Sequence, residues 1–172
     1  ARLRSLGAEV DHIDAPYSWE ALGRAWETLA AVGVAAAFAT APSPAEPSND
    51  GMEALARHGR AVTGLEYSAA MTAVEDQRAR VDARLAGVDA VLCPATITAA
   101  WELDATPVLS DGDPVDPGTL SAFTMWVNAV GRAGLSVPTE PFADGRPIGV
   151  QLVETAGGEE LLFALAEALG GA

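Results

Sequence analysis

The sequence predicts an α/β fold in which helices cover a largely buried sheet. Segments with the apolar period of a helix alternate with short apolar segments that are typical of strands. The short segments are apolar along most of their length, as in strands that are covered on both faces. With 172 residues and 49% hydrophobic side chains, the chain can bury a core of ordinary size. We predict that residues 1–172 form a single domain or part of one.

The first elements predicted are the end of a helix, a strand and a long helix. Gly7 can stop the first helix, and residues 8–14 are typical of a strand. Pro16 and Ser18 mark the start of the long helix. Its predicted apolar face consists of Trp19, Leu22, Trp26, Leu29, Gly33 and Ala37. Because the chain opens within an element and begins with Ala, we expect that part of the fold lies upstream.

Prolines and a capping box organise the next part of the chain. Three prolines predict a loop over residues 41–50, and a short helix follows over residues 51–60. Thr63 precedes Glu66 by three residues, so each side chain can bond the backbone N–H of the other and begin a helix. The predicted apolar stripe of that helix consists of Tyr67, Ala70, Met71, Val74, Val81 and Leu85, and Gly87 can end it.

The second half of the chain predicts strands, a long loop and two further helices. A buried strand over residues 88–94 stops at Pro94. Residues 95–118 predict a long loop, and loops of this length in compact domains are usually functional. The remaining predicted elements are a helix over 117–131, strands over 133–138 and 147–153 joined by the turn "FADGRP", and a helix over 157–170 with acids in its first turn.

Composition argues against several classes of partner. The formal charge of −14 disfavours binding to nucleic acid and to anionic membrane surfaces, because both need clustered cations. The apolar run over residues 29–41 is too short to span a membrane, and no apolar signal segment follows the N-terminal basic residues. A single cysteine, Cys93, rules out an internal disulfide framework. We expect a cytoplasmic location.

The chain carries no complete catalytic or metal-binding motif of a common type. Cys93 with His12 or His58 could form a nucleophile pair, but its apolar strand favours an inert thiol. The acids of "DGDPVD", at positions 111, 113 and 116, lack the glycine and the final acid of a calcium loop, which favours a solvated turn. No nucleophile elbow, phosphate loop or dinucleotide motif occurs. We predict no cofactor and no metal.

Four stretches, in order along nearly the whole chain, resemble the amidase-signature family. "LGAEVDHIDAP" resembles the strand that follows its "lGAeV" helix end. "GRAVTGLEYSAAMTAVEDQRARVDARLAGVDAVLCPATITAA" resembles its long helix, with Tyr67 and Ala70 in place, leading into its "DvLltPt" strand. "FTMWVNAVGRAGLSVP" resembles "fT.pfNl.G.PAlsvP". "GRPIGVQLVETAGGEELLFALAEAL" resembles "GlPvGvQLvg..g.e..Ll.lA..lE". The resemblance implies the C-terminal part of a mixed-sheet, helix-covered fold.

The chain departs from the family in two ways. Arg132, Ala133 and Gly134 stand where the family usually has Pro-Ala after a glycine. The resemblance also implies a Ser–cis-Ser–Lys arrangement in an upstream Gly/Ser-rich signature, in which a neutral lysine shuttles the proton. This chain has no such run and no lysine, and an arginine stays protonated. With these residues missing, the resemblance implies that the chain is a segment of an amidase and is inactive alone.

The resemblance implies that this part supplies one wall of a pocket for a small-molecule amide. We expect that wall in the 95–118 loop and the 119–130 helix, with pocket residues Thr96, Trp101, Trp126 and Asn128. As alternatives, the tryptophans are core or interface residues, and Asn128 stabilises the helix end near Gly131. Two rival functions stay open. One is a non-catalytic binding or assembly module that covers its sheet edge by homo-oligomerisation or with a complementary N-terminal chain. The other is a hydrolase that uses Cys93.

Overall fold

A computed structural model of the chain describes residues 2–40, 50–109, 111–156 and 158–170. Its helices are α1 Arg2–Ser5, α2 Trp19–Thr40, α3 Asp50–Ala61, α4 Gly64–Arg84, α5 Ala122–Val130 and α6 Gly158–Leu169, with a 3₁₀ turn at Pro117–Thr119. Its strands are β1 Ala90–Pro94, β2 Gly134–Thr139 and β3 Ile148–Glu154. The α/β class is confirmed. Across the described ranges, no helix combines the length and apolarity needed to cross a membrane.

The chain divides into two compact units. One comprises residues 17–81, and the other comprises residues 1–16 together with residues 82–172. The unit of residues 17–81 is helical, and the second unit contains the sheet. That residues 1–172 form a single domain or part of one stays a prediction.

Within the helical unit, α2 starts as predicted. The Ser18 hydroxyl accepts the Ala21 N–H at 3.4 Å, and the Ser18 N–H donates to the Gln77 side chain at 2.7 Å. The predicted apolar face is only partly right, because Trp19, Gly33 and Ala37 are exposed. The buried residues are Leu22, Ala25, Ala31 and Ala35, so the buried side of α2 turns around the helix along its length.

A close helix crossing explains this change of face. A Cβ atom on Gly59 of α3 would lie 1.9 Å from the backbone oxygen of Ala31 in α2. The two backbones therefore approach as closely as a residue without a side chain allows. This approach buries Ala31 and draws the later half of α2 toward α3. The predicted loop before α3 lies, over residues 41–49, outside the described residues.

The capping box of α4 is confirmed. The Thr63 N–H donates to the Glu66 carboxylate at 2.8 Å, and the Glu66 N–H donates to the Thr63 hydroxyl at 3.2 Å. The Thr63 backbone N–H is the main cause of a lowered pKa of Glu66, and the Thr63 hydroxyl, which also donates to the Glu66 carboxylate at 2.8 Å, lowers the pKa further. Gly87, with φ of +81°, follows the end of the helix in a left-handed conformation. Of the predicted stripe, Tyr67 and Met71 are exposed, and Ala70, Val74, Val81 and Leu85 are buried.

The second unit is built on a three-stranded sheet with the order β1-β3-β2. Both pairings are antiparallel, with Leu152 of β3 opposite Leu92 of β1 and Leu135 of β2. One face packs on α6 through a core of Val137, Leu152 and Leu162. Successive strand residues point to opposite faces. On the other face, α5 contacts Gly134 and Gln151, so the sheet lies between two helices.

Two predicted elements are wrong. Residues 8–14 form no strand, because a strand requires a ladder and this exposed segment joins none with β1–β3. The helix predicted from residue 117 begins at Ala122. Asp116 accounts for the delay: its side chain accepts the Gly118 N–H at 2.9 Å and its carbonyl accepts the Thr119 N–H at 2.8 Å, which closes a separate 3₁₀ turn.

Candidate functional site

The loop that follows β1 is ordered by its own hydrogen bonds. Val108 and Pro114 form an isolated antiparallel bridge, and the Leu109 N–H donates to the Asp113 carbonyl at 2.8 Å. Val115 is buried beside this bridge. The loop therefore folds back on itself at this bridge, and the buried Val115 anchors it.

Two threonines brace the first part of this loop. Thr96, a predicted pocket residue, is exposed, and its hydroxyl donates to the carbonyl of Thr98 at 2.7 Å. The Thr98 hydroxyl in turn donates to the carbonyl of Val108 at 2.6 Å. These bonds hold residues 96–98 against the bridge. Thr96 therefore contributes to the shape of the loop, and its role in a pocket stays a prediction.

The turn between β2 and β3 is equally ordered. The Phe142 N–H donates to the Arg146 carbonyl at 2.9 Å, and Gly145 adopts φ of +84°, which favours glycine. The Asp144 carboxylate accepts the Arg146 backbone N–H at 3.1 Å and its Nε–H at 2.8 Å. The backbone bond is the main reason that the pKa of Asp144 is lowered. The turn therefore presents the Arg146 guanidinium in a fixed direction.

Arg146 brings the loop and the turn together in one open concavity. Its Nη1 donates to the Ala100 carbonyl at 3.4 Å, and its guanidinium lies 5.4 Å from the centre of the Phe142 ring. The concavity has a volume of about 420 Å³ and is lined by Ala100, Trp101, Glu102 and Arg146. Arg146 was not predicted from the sequence. The Asp-Gly-Arg turn was the available signal, because an aspartate two residues before an arginine can fix its backbone.

The predicted pocket residues Trp126 and Asn128 lie on α5 and do not line this concavity. Trp126 is 2% exposed, whereas Asn128 is exposed. Residues two positions apart on a helix point to different sides, so these side chains do not share a surface. The Asn128 backbone carbonyl accepts the N–H of the C-capping Gly131 at 3.1 Å. Of the four predicted residues, Trp101 is the one that lines the concavity.

Two polar side chains join separate elements of the unit that contains the sheet. Gln151 is 5% exposed, and its Nε2 donates to the Phe123 carbonyl of α5 at 2.7 Å. Arg132 donates to the Asp82 carboxylate and to the carbonyls of Glu154 and Thr155. The sequence signal for Gln151 was a polar glutamine inside the apolar strand "GVQLV". Arg132 was visible in the sequence as a departure from the family pattern, but the sequence predicted no role for it.

The geometry around Cys93 does not favour a nucleophile. Cys93 is half-buried on β1, and Gln151 Nε2 donates to its sulfur at 3.5 Å. Burial raises the pKa of the Cys93 thiol, whereas a catalytic thiolate needs a lowered one.

The acidic turn is organised by backbone contacts. The Asp111 carboxylate accepts the Asp113 N–H at 3.2 Å, and Asp116 caps the 3₁₀ turn. These acids act as turn-forming residues in the manner of Asx turns. In the described part of the chain, no group of three or more His, Cys, Asp or Glu residues is placed to hold a metal ion.

Known proteins match this chain in sequence and in structure. Over 83 residues it is 43% identical to a glutamyl-tRNA(Gln) amidotransferase subunit of Methylocella silvestris, covering 48% of this chain and 16% of that relative. A crystal structure of an amidase is similar with a TM-score of 0.80 and 27% identity, covering 98% of this chain and 38% of that one. The corresponding amidotransferase subunit of Thermotoga maritima is similar with a TM-score of 0.55 and 25% identity, covering 97% of this chain and 35% of that one.

The matches agree on one family. This chain spans 38% or less of these two solved structures, so it corresponds to part of each of them. The family model described as Amidase matches residues 1–163. With nearly the whole sequence inside that match, the chain belongs to the Amidase family.

Proposed function

We propose that this chain is the C-terminal segment of an amidase-type hydrolase and that residues 1–172 alone do not hydrolyse amides. The family match over residues 1–163 carries the first part of the proposal. The second part is supported by composition. The chain contains no lysine, and its ten arginines cannot serve as a neutral proton-transfer group.

The complete enzyme would convert a carboxamide to a carboxylate by an acyl-enzyme route. A serine oxygen outside this segment would attack the amide carbonyl, and the C–N bond would break as the departing amine takes a proton. Water would then hydrolyse the ester and free the serine. The described segment would contribute the sheet, its two covering helices and one wall of the pocket.

We propose that this wall lies on the loop over residues 95–118 and on the helix over residues 119–130. Trp101 is its best-supported residue, because it is 47% exposed and lines the concavity with Arg146. Thr96, Trp126 and Asn128 stay in the proposal as predicted pocket residues. We further propose that residues 1–172 belong to one domain and that the protein is cytoplasmic.

Purified residues 1–172 test the proposal directly. Release of ammonia or amine would be followed with simple aliphatic and aryl carboxamides. We expect no turnover above the buffer rate, and measurable turnover would refute the proposed inactivity. An antibody to α6 would then report the mass of the native protein in its own cells. A species much larger than 17.6 kDa supports a complete amidase, whereas one of 17.6 kDa contradicts it.

A second candidate is a non-catalytic binding or assembly module. Leu92 favours it, because this residue lies on the outer strand β1 and is 45% exposed. An outer strand offers unpaired backbone N–H and C=O groups to a partner strand, and an exposed apolar side chain on it adds contact area. The amidotransferase relative is by name one subunit of an enzyme, which supports work within a complex. Light scattering that shows a monomer at high concentration would exclude a homo-oligomeric module.

A further inference from the structure

The hydrogen bond from Arg146 Nη1 to the Ala100 carbonyl places Trp101 and Arg146 in the lining of one concavity. We propose that their concavity binds an uncharged, flat apolar group, such as the ring of an aryl carboxamide. The inference rests on the proposed function, because it names the class of amide that this wall would favour.

The lining of the concavity fits one face of a small ring. The concavity is open to solvent and is lined by Ala100, Trp101, Glu102 and Arg146, so a flat group would lie across it with its other face exposed. Trp101 leaves 47% of its surface open and is a large apolar side chain of the lining. An indole ring attracts other rings in stacked or edge-on arrangements. Trp101 can therefore supply the main contact for a flat ligand.

The charges around the concavity disfavour an anionic ligand. The Arg146 guanidinium is already paired with the Asp144 carboxylate at 2.8 Å, and Glu102 adds a second carboxylate to the lining. These three side chains together carry a net charge of one negative unit, in a chain whose formal charge is −14. A ligand carboxylate would meet two like charges and compete with Asp144 for Arg146. An uncharged ligand avoids both costs.

Arg146 also offers a donor to a neutral acceptor. Its Nε and Nη1 donate to Asp144 and Ala100, and Nη2 has no partner among the described residues. A guanidinium has five N–H donors in a rigid plane, so the Nη2 hydrogens are held in place by the other bonds. The carbonyl oxygen of a ring-bearing amide is the matching acceptor. Phe142, below the guanidinium, limits its movement.

Benzamide and benzoate form the test, because they share a ring and differ in charge. The ¹H–¹⁵N indole resonances of the purified 172-residue chain would be followed during titration with each compound. We expect benzamide to shift the Trp101 resonance saturably and to bind about tenfold or more tightly than benzoate. Equal or tighter binding of benzoate, or no saturable shift with benzamide, would overturn the inference.

Matched variants locate the binding. The variants at Trp101 lack its indole, so binding is followed on the ring protons of benzamide: Trp101→Ala should abolish it, whereas Trp101→Phe keeps a ring and should retain it. Trp19→Ala, at another exposed tryptophan, should leave the affinity unchanged. Arg146→Gln should weaken benzamide binding a few-fold. An equal loss in Trp19→Ala, or full binding by a folded Trp101→Ala variant, would contradict the inference.

The two proposals fail separately. Ring binding needs no turnover, so an inactive chain still tests the concavity. A longer amidase that hydrolyses amides while Trp101→Ala changes neither aryl nor alkyl substrates would overturn this inference and leave the proposed function standing. Ring binding by a native protein of 17.6 kDa would contradict the proposed function and leave this inference standing.

Discussion

The guanidinium of Arg132 lies 2.5 Å from the carboxylate of Asp82. The same guanidinium donates to the backbone carbonyls of Glu154 and Thr155 at 3.0 and 2.9 Å. One side chain thus joins the last turn of α4, the segment before β2 and the end of β3. The Arg132 side chain is 13% exposed and that of Asp82 is 56% exposed, so the two partners should contribute unequally to stability.

We predict that Arg132→Met lowers the free energy of unfolding by about 2–3 kcal/mol, because two carbonyls and a carboxylate lose a charged donor. Asp82→Asn should cost less than about 1 kcal/mol, since an exposed partner is well solvated. Urea unfolding of both variants measures the difference. Equal losses would show that the ion pair, and not the carbonyl contacts, carries the stability.

The capping box predicts a specific dependence on pH. The pKa of Glu66 is lowered from its ordinary value of 4.5, so the folded state favours the ionised carboxylate. Its contribution is therefore present above the unfolded pKa and is lost as the pH falls through the folded pKa. Glu66→Gln should be less stable than the parent chain near neutrality, and this difference should disappear at acidic pH.

Carboxyl NMR checks the cause. Thr63→Ala removes the hydroxyl but keeps the backbone N–H, so the Glu66 pKa should rise part of the way toward its ordinary value. Glu27→Gln, at an exposed glutamate of α2, is the control and should leave the Glu66 titration unchanged. A Glu66 pKa at or above 4.5 in the parent chain would contradict the capping geometry.

Two glycines in helices should respond in opposite ways to alanine. Gly59→Ala places a Cβ 1.9 Å from the Ala31 oxygen, and we expect a loss of about 3 kcal/mol or more because backbone must move. Gly33→Ala meets nothing within 4 Å, so it should stabilise α2 by about 0.5–1 kcal/mol. Thermal unfolding compares the two. Similar effects of both substitutions would argue against the close crossing of α2 and α3.

Cys93 should behave as a protected structural thiol. Because burial raises its pKa, little thiolate forms near neutral pH, and alkylation by iodoacetamide should be much slower in the folded chain than in urea. Cys93→Ser should leave any amide hydrolysis unchanged. Fast alkylation of the folded chain, or an activity that Cys93→Ser removes, would restore the cysteine hydrolase as a candidate.

Local patterns were predictable from the sequence, and contacts between distant segments were not. The Thr63–Glu66 box and the stop at Gly87 depend on a few consecutive residues, and both are confirmed. The strand over residues 8–14 failed because apolar alternation does not supply a ladder partner. The face of α2 depends on Gly59, whose close approach to Ala31 no periodicity reveals.

The candidate site shows the same limit. Trp101 could be chosen as an aromatic residue in a long loop, but its concavity depends on Arg146, which lies 46 residues beyond Ala100. Trp126 and Asn128 are close in sequence and lie in different environments, because a helix turns them apart. The family could be identified because its motifs follow one another along the chain, each of them readable locally.

The order β1-β3-β2 has a consequence for synthesis. The central strand is the last of the three to leave the ribosome, and its Gln151 bonds a residue 58 positions earlier. Until Ile148–Glu154 emerges, β1 and β2 each lack their hydrogen-bonding neighbour, and the apolar residues of β1 stay open to chaperones or to other nascent chains. A premature stop before residue 148 would therefore release a product that lacks the strand joining β1 to β2.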